Sequence, residues 1–181
     1  MFWPPLENNY YCEKDMPKIS AVMALYNTPF EYLTKTVESI LNQTFKDFEF
    51  IIIDDASSID YSNFFKQFND ERIKYFKLDK NSGPGHARNE GIKKSQGDYI
   101  AIIDSDDVYL AQRFELQFEF LDKNPDVSIV GGAFKYSNKR KMSEVIEDNE
   151  DIKIFMLFNS PMANPLIMLR KEQILAHNLF Y

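Results

Sequence analysis

"YIAIIDSDDVYL", residues Tyr99 to Leu110, decides the fold: a run of apolar residues ends in three carboxylates, Asp104, Asp106 and Asp107. A short run that is apolar on both faces suits a strand of a parallel sheet with both faces covered. The acids then stand at the carboxyl end of that strand, the edge where open α/β sheets bind ligands. Neighbouring carboxylates repel one another, so crowding them there needs a purpose.

The flanking sequence repeats the pattern. From Lys18, "KISAVMAL" is a largely apolar strand that leaves the core at "YNTPF". "EYLTKTVESILNQ" sets Leu33, Val37, Ile40 and Leu41 on one helical face. "FEFIIIDDAS" is a second buried strand ending in acids, "YSNFFKQF" a short helix with Phe64, Phe65 and Phe68 as its stripe, and "RIKYFKL" a third strand. "NSGPGHARNEGIKKSQG" begins as a turn and runs into a helix. "YLAQRFELQFEFLDKNP" carries Leu110, Phe114, Phe118 and Leu121 at helical spacing and stops before Pro125, and "VSIVGGAF" is a further strand. Alternating strands and helices predict an α/β fold: an open, mostly parallel sheet flanked by helices.

After Phe134 the composition changes. "KYSNKRKMSEVIEDNEDIK" is nearly all polar and reads as an excursion, "IFMLFN" as a helix, and "MANPLIMLRKEQILAHN" as a strand followed by the start of a helix. The organisation expected is a tail over 1–16, a main portion over 17–135, and a second portion over 136–181 that begins something further.

A chain of 181 residues with 44% hydrophobic content is expected to bury one core. A net charge of -7 excludes a surface built to neutralise nucleic-acid phosphates and disfavours anionic lipid. A single cysteine, Cys12, excludes an internal disulfide and fits a reducing compartment. No stretch has the form of a secretory signal or approaches the roughly 20 apolar residues of a membrane span, so a cytoplasmic location is expected. Phe2 and Trp3 leave a peripheral membrane contact open, beside the plainer reading of a tail that packs back on the domain.

Two strands end in acids, Asp54-Asp55 and Asp104-Ser105-Asp106-Asp107, and a third ends at Tyr26-Asn27. All three ends meet at one edge. The cation suited to carboxylate oxygens is hard and divalent, Mg2+ or Mn2+, with coordination positions left for phosphate oxygens. The competing reading is that Asp106 or Asp107 caps the following helix.

In the order "PKISAVMALYNTPFEYLTKTVESILNQTFKDFEFIIIDDAS", then "NSGPGHARNEGIKKSQGDYIAIIDSDD", the chain resembles glycosyltransferase family 2 from about Pro17 to Phe134. These are inverting GT-A-fold enzymes that use nucleotide-activated sugars. The resemblance implies a hexosyltransferase-type activity and a D-x-D motif in which Asp106 binds the metal joined to the donor diphosphate. Asp104 then lies near the ribose or a metal-bound water, and Ser105 between them belongs to the same donor contact. It also implies that Tyr26 lies against the base, that the backbone at Ala24 completes the base pocket, and that Asp55, or its neighbour Asp54, accepts a hydrogen bond from uracil N3–H. An acceptor-only carboxylate favours a base edge that donates, uracil or guanine over adenine. Arg88 and Asn89 match the family's A-R-N and support the donor site; pairing of Arg88 with the acid cluster stays open beside that role. UDP-sugar is the expected donor, and the acceptor is a glycan, lipid or protein hydroxyl.

The family's general base is an Asp or Glu well downstream, commonly in an E-D pair beyond the helix that "RKEQILAHN" begins. The sequence stops at Tyr181, and Glu147-Asp148 comes too early to serve. The expectation is therefore that residues 17–135 bind the donor, that 136–181 start the acceptor side, and that the chain lacks its base and transfers sugar weakly or not at all. A non-catalytic donor-binding chain working with a partner is the alternative. A nucleotidyltransferase would carry a Gly/Arg/Lys-rich loop after its first strand, where "LYNTPF" stands.

Overall fold

Strand β1 (Ile19–Leu25) is followed by helix α1 (Phe30–Leu41), β2 (Phe48–Asp54), a 3-10 turn (Phe65–Phe68), β3 (Ile73–Lys77), α2 (Pro84–Lys94), β4 (Tyr99–Asp104) and α3 (Arg113–Lys123). Then come β5 (Ile129–Val130), α4 (Asn149–Phe155), a 3-10 turn (Asn164–Leu166), β6 (Met168–Arg170) and α5 (Lys171–His177). This is a computed structural model that describes residues 16–137, 142–143, 145–158 and 160–181. The expected tail with Phe2, Trp3 and Cys12 lies outside the described residues, as does part of the polar stretch after Tyr136.

Among the described residues the strands form one sheet in the order β3-β2-β1-β4-β6-β5. The first four are parallel and β6 runs antiparallel to both β4 and β5. Side chains of a strand alternate between faces. Ile19, Ala21, Met23 and Leu25 of β1 therefore join Phe48, Phe50 and Ile52 of β2 and Ala101 and Ile103 of β4 in one core, under Leu33, Val37 and Ile40 of α1 and Phe114 and Leu121 of α3. On the other face Val22, Ile100 and Ile102 meet Ile92 of α2 and Ile174 of α5, while Ile51 and Ile53 meet Ala87 of α2. Each fully buried Leu, Ile or Phe contributes on the order of 1.5–3 kcal/mol.

Helix α2 rides unusually low on the sheet: a Cβ at Gly91 would fall 2.4 Å from Val22 Cγ1, so only glycine allows the approach. Across the sheet, Arg170 of β6 donates to the carbonyls of Leu121 and Asn124 at the end of α3 and to Val127 O. It satisfies helix-terminal acceptors that would otherwise lack partners. Residues of the 136–181 portion thus complete the sheet that the first portion began.

Several local expectations needed correction. Leu110 lies before α3 and is exposed, because residues 105–112 form two turns joined by irregular chain before the helix begins. The short helix expected in "YSNFFKQF" is of the 3-10 type and spans Phe65–Phe68, ended by Asn69 in the left-handed conformation. β5 holds only two residues, next to Gly131 and Gly132. The helix expected over "IFMLFN" forms earlier, because Asp148 caps it by accepting from the N–H groups of Glu150 and Asp151. Among the described residues no helix is long and apolar enough to cross a membrane.

Candidate active site

In-register pairing sets the strand ends level. Ala24 faces Asp104 across β1 and β4, and Leu25 faces Asp54 across β1 and β2. Asp104 shares its face of β4 with Ile100 and Ile102, the face that α2 covers, and there Arg88 donates to its Oδ1 at 2.7 Å. The Asp104 backbone N–H donates to the Tyr109 hydroxyl at 2.9 Å. Ser105 lies with its hydroxyl 2.6 Å from that of Thr28, and its carbonyl accepts from Thr36 at 3.0 Å. The acid turn is thereby fastened to the loop and helix that follow β1.

Asp106 and Asp107 are exposed, and among the described residues neither forms a hydrogen bond or ion pair. The Asp107 carboxyl is pushed above the ordinary range by desolvation first and by the charges of Asp106 and Asp104 next, with Arg113 acting against them. Neither acid caps a helix: α3 begins at Arg113, after Gln112, with no side-chain cap. Beneath the turn, Arg113 is 8% exposed and stacks over the Tyr109 ring at 4.7 Å. Its Nε donates to Gln117 and its Nη2 to the carbonyls of Ile102 and Ile167, and its Nη1 is buried without a partner. Burial draws this guanidinium down to about 10, against the favourable charges of Tyr109, Asp107 and Asp104.

Asp54 and Asp55 have different surroundings. Asp54 follows the inward parity of Phe50 and Ile52 and is fully buried. Its Oδ1 accepts from Ser57 N at 2.8 Å and its Oδ2 from the Tyr75 hydroxyl at 2.6 Å, with Lys77 Nζ 3.8 Å away. Burial first, then this bond, pushes the Tyr75 hydroxyl well above its ordinary value. Asp55 is also buried, at 3% exposure, but it faces the loop after β3 and accepts from Ser82 N at 2.9 Å and Gly83 N at 2.7 Å. A cavity of about 380 Å³ opens there, lined by Ala24, Leu25, Tyr26, Asp55, Asn81, Gly83 and Pro84. Gly83 takes a φ of 90°, which side chains rarely adopt, and so brings the loop against Asp55.

Of the residues singled out in the sequence, Ala24, Tyr26 and Asp55 share this cavity, Asp104 and Arg88 pair one strand away, and Asp54 lies underneath without reaching it. Thr28, Asn81, Tyr109 and Arg113 escaped the sequence reading. Arg113 and Gln117 carried a signal, an arginine and a glutamine one turn apart on an otherwise apolar helix face. Asp148, half of the early E-D pair, is committed to capping α4.

Clustered hard oxygen donors, of which Asp106 and Asp107 have no partner of their own among the described residues, are the chemistry a divalent cation fits. Among the described residues no three His, Cys, Asp or Glu side chains converge to hold a metal ion. Such an ion would take one or two carboxylates here and complete its shell elsewhere, the usual arrangement for Mg2+ beside phosphates.

The fold is of the GT-A glycosyltransferase type. It matches the crystal structure of Staphylococcus aureus TarS 1–349 in complex with UDP-GlcNAc with a TM-score of 0.74 at 22% identity, over 91% of this chain and 48% of that one. It matches the mannosyltransferase PcManGT of Pyrobaculum calidifontis, in complex with GDP-Man and Mn2+, with a TM-score of 0.68 at 14% identity, over 93% of this chain and 48% of that one. The family model of glycosyl transferase family 2 matches residues 20–178, and the chain belongs to that family. An uncharacterized glycosyltransferase of Methanocaldococcus jannaschii is 41% identical over 121 residues, 65% of this chain and 42% of the relative. The chain spans about half or less of the length of these proteins.

Proposed function

We propose that this chain binds a nucleotide-sugar, most suitably a UDP-sugar, at the carboxyl edge of its sheet and passes the sugar with inversion to a glycan, lipid or protein hydroxyl. The observation that carries the reading is the cavity that joins Tyr26, Asp55 and the Asn81–Pro84 loop, one strand from the Asp104–Asp107 turn. Residues 17–135 supply the donor side, and residues 136–181 begin the acceptor side.

Each residue has a task that its surroundings allow. The exposed Tyr26 ring offers a face on which a base can stack. Asp55 keeps a lone pair on each oxygen beyond the bonds from Ser82 and Gly83, enough to accept N3–H of uracil while holding the loop. Arg88 holds the Asp104 carboxylate by a charge-assisted hydrogen bond and orients it beside the ribose. Asp106, with Asp104, would hold Mn2+ or Mg2+, which when bound supplies Lewis-acid neutralisation of the leaving diphosphate. The structural neighbours supply support of the same kind: TarS was crystallised in complex with UDP-GlcNAc, and PcManGT is in complex with GDP-Man and Mn2+.

A second reading, a donor-binding chain that transfers poorly, draws support from Asp148 serving as a helix cap. Calorimetric titration with UDP, GDP and ADP, each with Mn2+ and with EDTA, tests the shared claim. Metal-dependent binding of UDP over ADP is expected; equal binding with EDTA would overturn the metal role, and no UDP binding would overturn the donor site. Hydrolysis of a UDP-sugar by the purified chain then separates a transferase from a binder.

A further inference from the structure

Tyr181 is the residue of the C-terminal portion that reaches the donor side. Helix α5 ends at Asn178, whose left-handed φ of 52° turns the chain back over the sheet. Phe180 then packs against the core of Val22, Ile92 and Ile100. That anchor lays Tyr181 along the first turns of α2. Its N–H donates to Asn89 Oδ1 at 2.9 Å and its carbonyl accepts from Asn89 Nδ2 at 3.0 Å, a two-way clasp on the residue after Arg88. The ring lies over the Arg88 guanidinium at 5.4 Å. Its hydroxyl donates to Asn164 Oδ1 at 2.6 Å, which fixes the ring from the opposite side. The approach is close: a Cβ at Gly85 would come within 3.1 Å of Tyr181 Cβ.

Arg88 is thus held between two groups, the Tyr181 ring and the Asp104 carboxylate. A guanidinium stacked on a ring loses freedom at little cost, because its fork geometry is rigid already. Its Nε is buried without a partner, so the ring and Asp104 are what fix it in this orientation.

Resting on the donor site proposed above, we infer that Tyr181 is a positioning residue for the donor diphosphate, acting through Arg88 on Asp104. It ties the C-terminal portion of the chain to the acid turn, so that the cation partner of Asp104 is in place only when the segment after α5 is docked. The base pocket around Asp55 includes neither Tyr181 nor Arg88 in its lining, so uridine binding is expected to be unaffected.

The test is titration of the full chain with UDP plus Mn2+, and with uridine, for the parent, Tyr181→Ala, Tyr181→Phe and Gly85→Ala. Tyr181→Ala is expected to weaken UDP–Mn2+ binding about tenfold, the upper range for a ring-cation contact, and to leave uridine unchanged. Tyr181→Phe, which keeps ring and backbone clasp, should restore binding to within about twofold, given the modest worth of one exposed hydrogen bond. Gly85→Ala crowds the Tyr181 Cβ without altering Arg88, and favours the helix, so it should reproduce a small part of the loss in a well-folded protein. Parent-like UDP affinity in Tyr181→Ala overturns the inference, as does an equal loss for uridine, which would mark general loosening. If the parent itself fails to bind UDP, the donor reading falls separately. A thermal-unfolding cycle of Tyr181→Ala with Arg88→Ala then decides the positioning claim: losses short of additive support it, and strictly additive losses overturn it.

Discussion

Glu49 at the amino end of the sheet and the Asp106–Asp107 turn at its carboxyl end treat the same chemical group in opposite ways. At the amino end, Glu49 is buried, yet both its oxygens are occupied: Oε1 accepts from the Ser20 hydroxyl and from Gln96 N–H, and Oε2 from Lys74. Ser20 in turn accepts from Gly97 N–H at 2.9 Å. Burial alone would raise the Glu49 carboxyl, but the bonds from Lys74, Ser20 and Gln96 together hold it below its ordinary value. At the carboxyl end, Asp106 and Asp107 have no such partners among the described residues, and Asp107 is pushed upward. An acid that completes its bonding shell within the chain serves the fold; an acid that leaves the shell open is available to something else.

That contrast breaks if the two kinds of acid respond alike to substitution. The largest effect is expected for Glu49→Ala, which leaves Ser20, Lys74 and Gln96 N–H facing a hole and should cost about 3 kcal/mol in urea unfolding. Asp106→Asn should do the reverse: metal-dependent UDP affinity falls more than about tenfold in calorimetry while the melting temperature holds. A large stability loss in Asp106→Asn would erase the distinction. Asp55→Ala sits between the two, because its carboxylate both ties the Ser82–Gly83 loop and faces the cavity. We expect about 1–2 kcal/mol of lost stability together with weaker uridine binding, with or without metal.

Acidity sharpens the comparison further. The folded-state value of Glu49 is depressed, so its stabilising share is present above the ordinary 4.5 and is lost as pH falls through the folded value. The gap in melting temperature between the parent and Glu49→Gln should therefore narrow from pH 7 toward pH 3; a constant gap would mean that the ionised form is not what the network uses. Asp107 has the opposite sign. Its raised value makes the ionised form a cost at neutral pH that fades as pH falls through the folded value. The smallest effect is expected here: Asp107→Asn should leave the melting temperature in EDTA unchanged or raise it by about 1 °C.

The element order was legible because β1, β2 and β4 are apolar runs of strand length and α1 keeps a helical stripe. β5 was overestimated since the glycines after Val130 carry no pattern, and α3 was started too early because Leu110 happens to fall in phase with Phe114. Asp55 and Tyr26 could be found from their places after strand ends. That Asp55 rather than Asp54 lines the cavity follows from strand parity: Asp54 continues the inward series of Phe50 and Ile52. Arg113, Thr28 and Tyr181 could not be found that way. Their partners, Ile167, Ser105 and Asn89, are 54, 77 and 92 positions away, and no local rule links residues at such separations.

Gly91 sets a clearance. With no side chain between α2 and Val22, the helix axis settles close enough to the sheet for Arg88, almost one turn earlier, to reach the end of β4. Position 91 behaves as a spacer of zero thickness. Any group placed there would act as a shim, tilting the helix and withdrawing Arg88 from Asp104 although neither residue had been altered, unless Val22 were trimmed by a matching amount.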